Sequence, residues 1–171
     1  MFLLKTGINR NATKTSVEFE QVASDLIMVS IDNDTNNQRG IYSYWRLMGS
    51  GGNPPLEVGI DTILGTIKRI VFFIDADCIE QFKLGEICIV KGNVVVDSGI
   101  FVKQNDYVNI EGNYHVTLID QKLFCKFCDG FNANEIILNN NIEIYLNNNE
   151  QIIGFAVDNL SESSLKMIRL L

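Results

Sequence analysis

The sequence is poor in proline, cysteine, histidine and tryptophan, with 2, 4, 1 and 1 residues among 171. Two prolines and no Gly/Pro period exclude a collagen-like chain or another fibre. Four cysteines are too few for a disulfide scaffold, so a reducing cytoplasm is the expected setting. Long apolar runs are missing as well. The longest uncharged one, Ile70 to Ile74, falls far short of the ~20 residues that span a bilayer. The opening Met1-Phe2-Leu3-Leu4-Lys5 has neither the basic leader nor the long apolar region of a secretory signal. Expected, then, is a cytoplasmic protein with no membrane partner.

What remains is ordinary globular material, 46% apolar and 20% charged, with 21 acids against 14 Lys plus Arg. That apolar content excludes a disordered chain. The acids are uneven. From Gln104 to Leu160 there are eight acids and two lysines, a net −6. Such a surface repels phosphates, excluding nucleic acid as the expected partner, and attracts cationic proteins.

The length is close to twice 85, and a shift of 86 residues lays one half of the chain over the other. Leu56-Glu57-Val58-Gly59-Ile60-Asp61 falls on Ile142-Glu143-Ile144-Tyr145-Leu146-Asn147, Ile67 on Ile153 and Val71 on Val157. Phe2 to Lys5 falls on Cys88 to Lys91. With small slips Ile27 to Asp32 matches His115 to Asp120, and Tyr42 to Gly49 matches Leu123 to Gly130. An internal duplication is therefore expected, with units 1–85 and 86–171 packed together, since ~85 residues fold alone only marginally.

Each half reads as strands closed by a helix. Hairpins are expected for Asn113 to Ile119 with Lys122 to Cys128, and for Leu56 to Asp61 with Thr66 to Ile74. Another joins Asn141 to Leu146 with Gln151 to Val157 across Asn147-Asn148-Asn149-Glu150. The counterpart of the first hairpin pairs Ile27 to Asp32 with the strand from Tyr42 across a polar insertion at 33–40. One helix is expected from Asp75 or Asp77 to Gly85, with Ile79, Phe82 and Lys83 on helical spacing, and a second is capped by Ser161 with Glu162 in its first turn. The fold class is α+β, mostly antiparallel sheet with two short helices.

Motifs for chemistry are weak. Cys125-Lys126-Phe127-Cys128 has redox or zinc spacing, but on a strand residues three apart point to opposite faces, so no metal or cofactor site is expected. Cys78 and Cys88 supply no second pair. His115 has no Gly-x-Ser-x-Gly nucleophile to serve. Gly49-Ser50-Gly51-Gly52-Asn53 lacks the Gly-Lys-Ser/Thr ending of a phosphate loop. Val94-Val95-Val96-Asp97-Ser98-Gly99 resembles the catalytic loop of retroviral-type aspartic proteases, with Ile152-Ile153-Gly154 in place of their later apolar-apolar-Gly segment. That resemblance implies a dimeric hydrolase using Asp97, although Ile100 follows Gly99 where the family has a small residue.

Binding features are stronger. Tyr42, Tyr44 and Arg46 share one face of a strand, with Trp45 on the other, and these are residue types enriched at interaction hot spots. The acids Asp106, Glu111, Asp120, Glu135, Glu143 and Glu150 are candidates for a basic partner. Finally, Leu56-Glu57-Val58-Gly59-Ile60-Asp61-x4-Thr66-Ile67-Lys68-x-Ile70 resembles stretches in small acidic bacterial immunity proteins of polymorphic-toxin systems. The resemblance implies a cytoplasmic, non-enzymatic inhibitor that covers a basic toxin domain.

Overall fold

A computed structural model describes residues 2–11, 13–34, 42–49, 54–75, 87–127 and 131–171. The expected helix ending at Gly85, most of the polar insertion at 33–40, the glycine-rich residues 50–53, and Cys78 and Cys128 lie outside them. The fold is mostly antiparallel β-sheet with one α-helix among the described residues.

The strands are β1 (Lys5–Asn9), β2 (Lys14–Ala23), β3 (Leu26–Asp34), β4 (Tyr42–Met48), β5 (Leu56–Asp61), β6 (Ile67–Asp75) and β7 (Cys88–Lys91). After them come β8 (Asn93–Val96), β9 (Tyr107–Glu111), β10 (His115–Ile119), β11 (Lys122–Lys126), β12 (Glu135–Asn139), β13 (Ile142–Leu146) and β14 (Ile152–Val157). Helix α1 (Glu162–Ile168) follows, capped as expected: Ser161 Oγ accepts from Ser164 N–H at 3.2 Å. Its apolar stripe buries Leu165 and Ile168.

Two six-stranded sheets carry the fold, in the orders β2-β3-β6-β5-β4-β9 and β10-β11-β14-β13-β12-β7; β1 and β8 form a separate antiparallel pair. The first five strands of each sheet have the same connectivity, and each sheet ends in a parallel strand, β9 beside β4 and β7 beside β12. Three expected hairpins are present, β5–β6, β10–β11 and β13–β14. At two of their turns the left-handed conformation falls on Asp120 (φ 54°) and Glu150 (φ 58°).

The fourth expected hairpin is not formed. β3 lies between β2 and β6, and β4 lies between β5 and β9. Strand β2 is not among the strands expected from the sequence; its Thr15, Val17 and Phe19 face the core side as half-buried groups. By position in the sheets, β5 corresponds to β13 and β6 to β14, as the 86-residue shift has it. The counterparts of β3 and β4 are β11 and β12, one strand later than the shift assigns.

One apolar core is shared by both sheets. Ile27, Val29, Trp45, Val58 and Phe72 of the first join Leu123, Ile144, Phe155 and Val157 of the second in one cluster. Trp45, fully buried, packs 5.8 Å from the ring of Phe127. The second sheet is buried on its other face too, where Phe124, Ile136, Tyr145 and Ile153 form a smaller cluster under Phe131 and Ile87. Polar groups also join the sheets. Asn139 Nδ2 donates to Thr13 Oγ1 at 2.8 Å, Thr13 Oγ1 donates to Asn93 Oδ1 at 3.1 Å, and Asn140 Nδ2 donates to Thr13 O at 2.8 Å.

Candidate functional site

The alternation of β4 fixes its two faces: Ser43, Trp45 and Leu47 are buried, and Tyr42, Tyr44 and Arg46 are half-buried on the outer side. Register extends that outer side into rows across the sheet. One row runs Tyr107, Tyr44, Gly59, Arg69, Asp32, and the next runs Asn109, Arg46, Glu57, Val71, Ser30. Beyond them Met28 lies opposite Phe73, and Met48 opposite Glu111.

Within this grid the rings of Tyr44 and Tyr107 stack at 5.5 Å and 13°. The Arg46 guanidinium sits 4.1 Å over the Tyr107 ring, and its Nε lies 2.7 Å from Glu57 Oε1. That Nε–H does not point along the line to the oxygen, so the contact is an ion pair rather than a good hydrogen bond. Arg69 lies 3.8 Å from Asp32 and donates to Ser30 Oγ at 3.3 Å. Gly59 makes room for the aromatic ring above it; a Cβ there would stand 3.3 Å from Tyr44 Cε1. The result is a shallow concavity of about 410 Å³, floored by Met28, Val71 and Phe73 and walled by Arg46, Arg69 and Tyr107.

β9 reaches β4 because its approach loop is pinned. Asp106 accepts from Val102 N–H and from Tyr107 N–H, each at 3.0 Å, and its own N–H donates to Ser43 Oγ at 3.1 Å. The Val102 bond foremost, then the Tyr107 bond, holds the Asp106 carboxyl below its ordinary range. Burial, then the neighbouring Tyr107, pushes the Tyr44 phenol up against the opposing pull of Arg69. Tyr44 is therefore a neutral hydrogen-bond donor at neutral pH. Tyr107 is 50% exposed and Met48 40%, so aromatic and apolar surface reaches solvent at this edge.

The structure divides the acidic candidates. Asp106 precedes β9 next to Tyr107, and Glu111 ends the strand opposite Met48. Glu135 and Glu150 both contact Lys5, at 2.5 and 3.3 Å, and Asp120 lines an open hollow against α1. Glu143 departs from the partner-facing position expected of it. It is only 7% exposed, accepts from Tyr145 Oη, and is paired with Lys122 at 2.7 Å. An acid held inside by two donors offers no charge to a partner.

The chemical motifs are equally local. Asp97 is exposed and caps a short 3₁₀ turn, Ser98–Ile100, accepting from Gly99 N–H at 2.8 Å. Cys125 is buried and Cys88 exposed. Among the described residues no three His, Cys, Asp or Glu side chains are grouped to hold a metal. Nor is any described helix long and apolar enough to cross a membrane.

Tyr44 and Arg46 are legible from the sequence; Tyr107, Glu57 and Arg69, which complete the grid, are not. Tyr107-Val-Asn-Ile-Glu111 does alternate as a strand, yet nothing local announces that it lies beside β4. No protein-family model matches the chain, and no curated protein matches it.

Proposed function

We propose that this chain is a protein-binding inhibitor of the immunity type, which neutralises a cognate bacterial toxin in the cytoplasm by direct association. The observation that carries the reading is the stacked Tyr44–Tyr107 pair, with Arg46 laid over the Tyr107 ring, on the outer face of the first sheet. Tyrosine and arginine dominate binding hot spots because they bury large area while ending in hydrogen-bonding groups. Held rigidly by a sheet, they lose little entropy on association. Asp106 and Glu111, on and beside β9 at the same edge, favour a basic partner.

The same reading includes internal duplication as the origin of the two sheets. The identical connectivity of β2 to β6 and β10 to β14 supports it.

The test is titration calorimetry against the product of the neighbouring gene, with toxicity assayed in cells co-expressing both proteins. Tyr107→Ala and Arg46→Ala are each expected to weaken binding at least ~10-fold, with the circular dichroism spectrum unchanged. Tight binding undiminished in both variants would remove this face from the proposal. Failure of the wild-type chain to bind or protect would remove the function itself.

A further inference from the structure

Strand β2 is ten residues long, the longest among the described residues, and lies at one end of its sheet. β3 pairs with one of its edges; among the described residues no strand pairs with the other. A long open edge is a template for pairing with another chain. β2 contains no proline, and its register irregularity is confined to Gln21 and Ala23, so Lys14 to Glu20 form a regular ladder with β3.

The sequence of this edge is complementary to itself. Lys14, Ser16, Glu18 and Glu20 are exposed on the outer side, and Thr15, Val17 and Phe19 are half-buried on the core side. Two copies paired antiparallel about a two-fold axis perpendicular to the sheet must set outer residues against outer ones, so the axis passes through a residue. With the axis at Val17, Lys14 stands opposite the partner's Glu20, and Ser16 opposite the partner's Glu18. On the core side Val17 meets its own copy, and Phe19 covers the partner's Thr15. An axis at Glu18 sets that glutamate against its own copy, and one at Phe19 sets Glu18 against the partner's Glu20. An axis at Ser16 leaves Glu20 beyond the paired stretch. Only the Val17 register pairs all of Lys14 to Glu20 without opposing like charges.

We propose that the chain forms a symmetric homodimer by antiparallel pairing of β2 about Val17, joining two six-stranded sheets into one. The occupant of the edge is thus a second copy. β9 and the Tyr44–Tyr107 stack lie at the far end of the same sheet, so the dimer leaves that face open and does not depend on what binds there.

Sedimentation velocity over a concentration series tests this directly. The wild-type chain is expected to sediment as a dimer. Lys14→Glu and Glu20→Lys each oppose like charges at two symmetric positions and should weaken self-association about 10-fold or more. Mixed in equal amounts, the two variants again set an acid against a base at both positions and recover the dimer, as does the double variant. Circular dichroism confirms that these exposed substitutions leave the fold intact. A wild-type chain that is monomeric throughout, single variants that dimerise like wild type, or a mixture that stays monomeric would each overturn the proposal.

Discussion

Tyr145 donates its phenolic hydrogen to Glu143, the residue two places before it on the same face of β13. Period-two geometry puts both side chains on one side of the strand, and there they meet an apolar cluster instead of water. Lys122, from the turn end of β11, reaches Glu143 at 2.7 Å and Asp158 at 3.5 Å. Tyrosine and lysine together make an interior carboxylate tolerable, because a buried charge is stable only when its lone pairs are satisfied.

Removing one of these donors exposes that dependence. Tyr145→Phe keeps the ring and deletes the hydroxyl, and should cost ~1.5–3 kcal/mol, the range for a hydrogen bond to a charged group. Glu143→Ala also strips Lys122 of its nearer partner and should cost more, ~3 kcal/mol. Urea midpoints at constant slope measure both. Loss of less than about 0.5 kcal/mol in Tyr145→Phe would mean that Lys122 alone satisfies the carboxylate.

Alkaline stability follows from the same groups. Burial, then the bond to Glu143, pushes the Tyr145 phenol above its ordinary range. For Lys5 and Lys122 burial acts downward, but their ion pairs with Glu135, Glu150, Glu143 and Asp158 outweigh it, so both are raised. In each case the folded chain holds a proton that the unfolded chain has released. The stabilisation is thus fully present below about pH 10, where the unfolded groups titrate, and falls as pH rises further. Melting temperature should drop above that point, and Tyr145→Phe should show a shallower drop. An unchanged slope in that variant would assign the alkaline loss to the lysines and to Tyr44, whose phenol burial also raises.

Thr13 is the centre of the polar link between the sheets, accepting from Asn139 and donating to Asn93. Thr13→Val preserves its shape and leaves both amides short of a partner, at an expected ~2 kcal/mol. A double-mutant cycle with Asn139→Ala should show coupling above ~0.5 kcal/mol, since the two share one bond. Strict additivity would indicate that water already serves both groups.

Gly59 sits beneath the Tyr44 ring; a Cβ there would stand 3.3 Å from Tyr44 Cε1 and 3.4 Å from Arg69 Cβ, so a β-branched side chain crowds both. Gly59→Val should displace the ring and break its stack on Tyr107, changing the near-ultraviolet circular dichroism of the tyrosines. Binding of the cognate protein should weaken with it. Retention of both signals would show that the face accommodates the added methyls.

What the sequence determined alone was local. Alternation placed Trp45 inward and Tyr44 and Arg46 outward, turn chemistry gave the hairpins at Asp61, Asp120 and Asn147, and Ser161 with Glu162 marked α1. These features follow from period-two geometry, capping and short closures, which act within a few residues. Glu143 defies its local pattern for a physical reason. In Ile142-Glu-Ile-Tyr-Leu146 the second and fourth residues look like a solvent face, and only the cover of Phe131 and its neighbours makes that face an interior. Tertiary structure alone decided which distant strands meet: β9 beside β4, β7 beside β12, β1 against β8. Such pairings depend on which apolar surfaces bury one another across the folded chain. The Tyr44–Tyr107 stack, formed across 63 residues of sequence, leaves no periodic mark at either end.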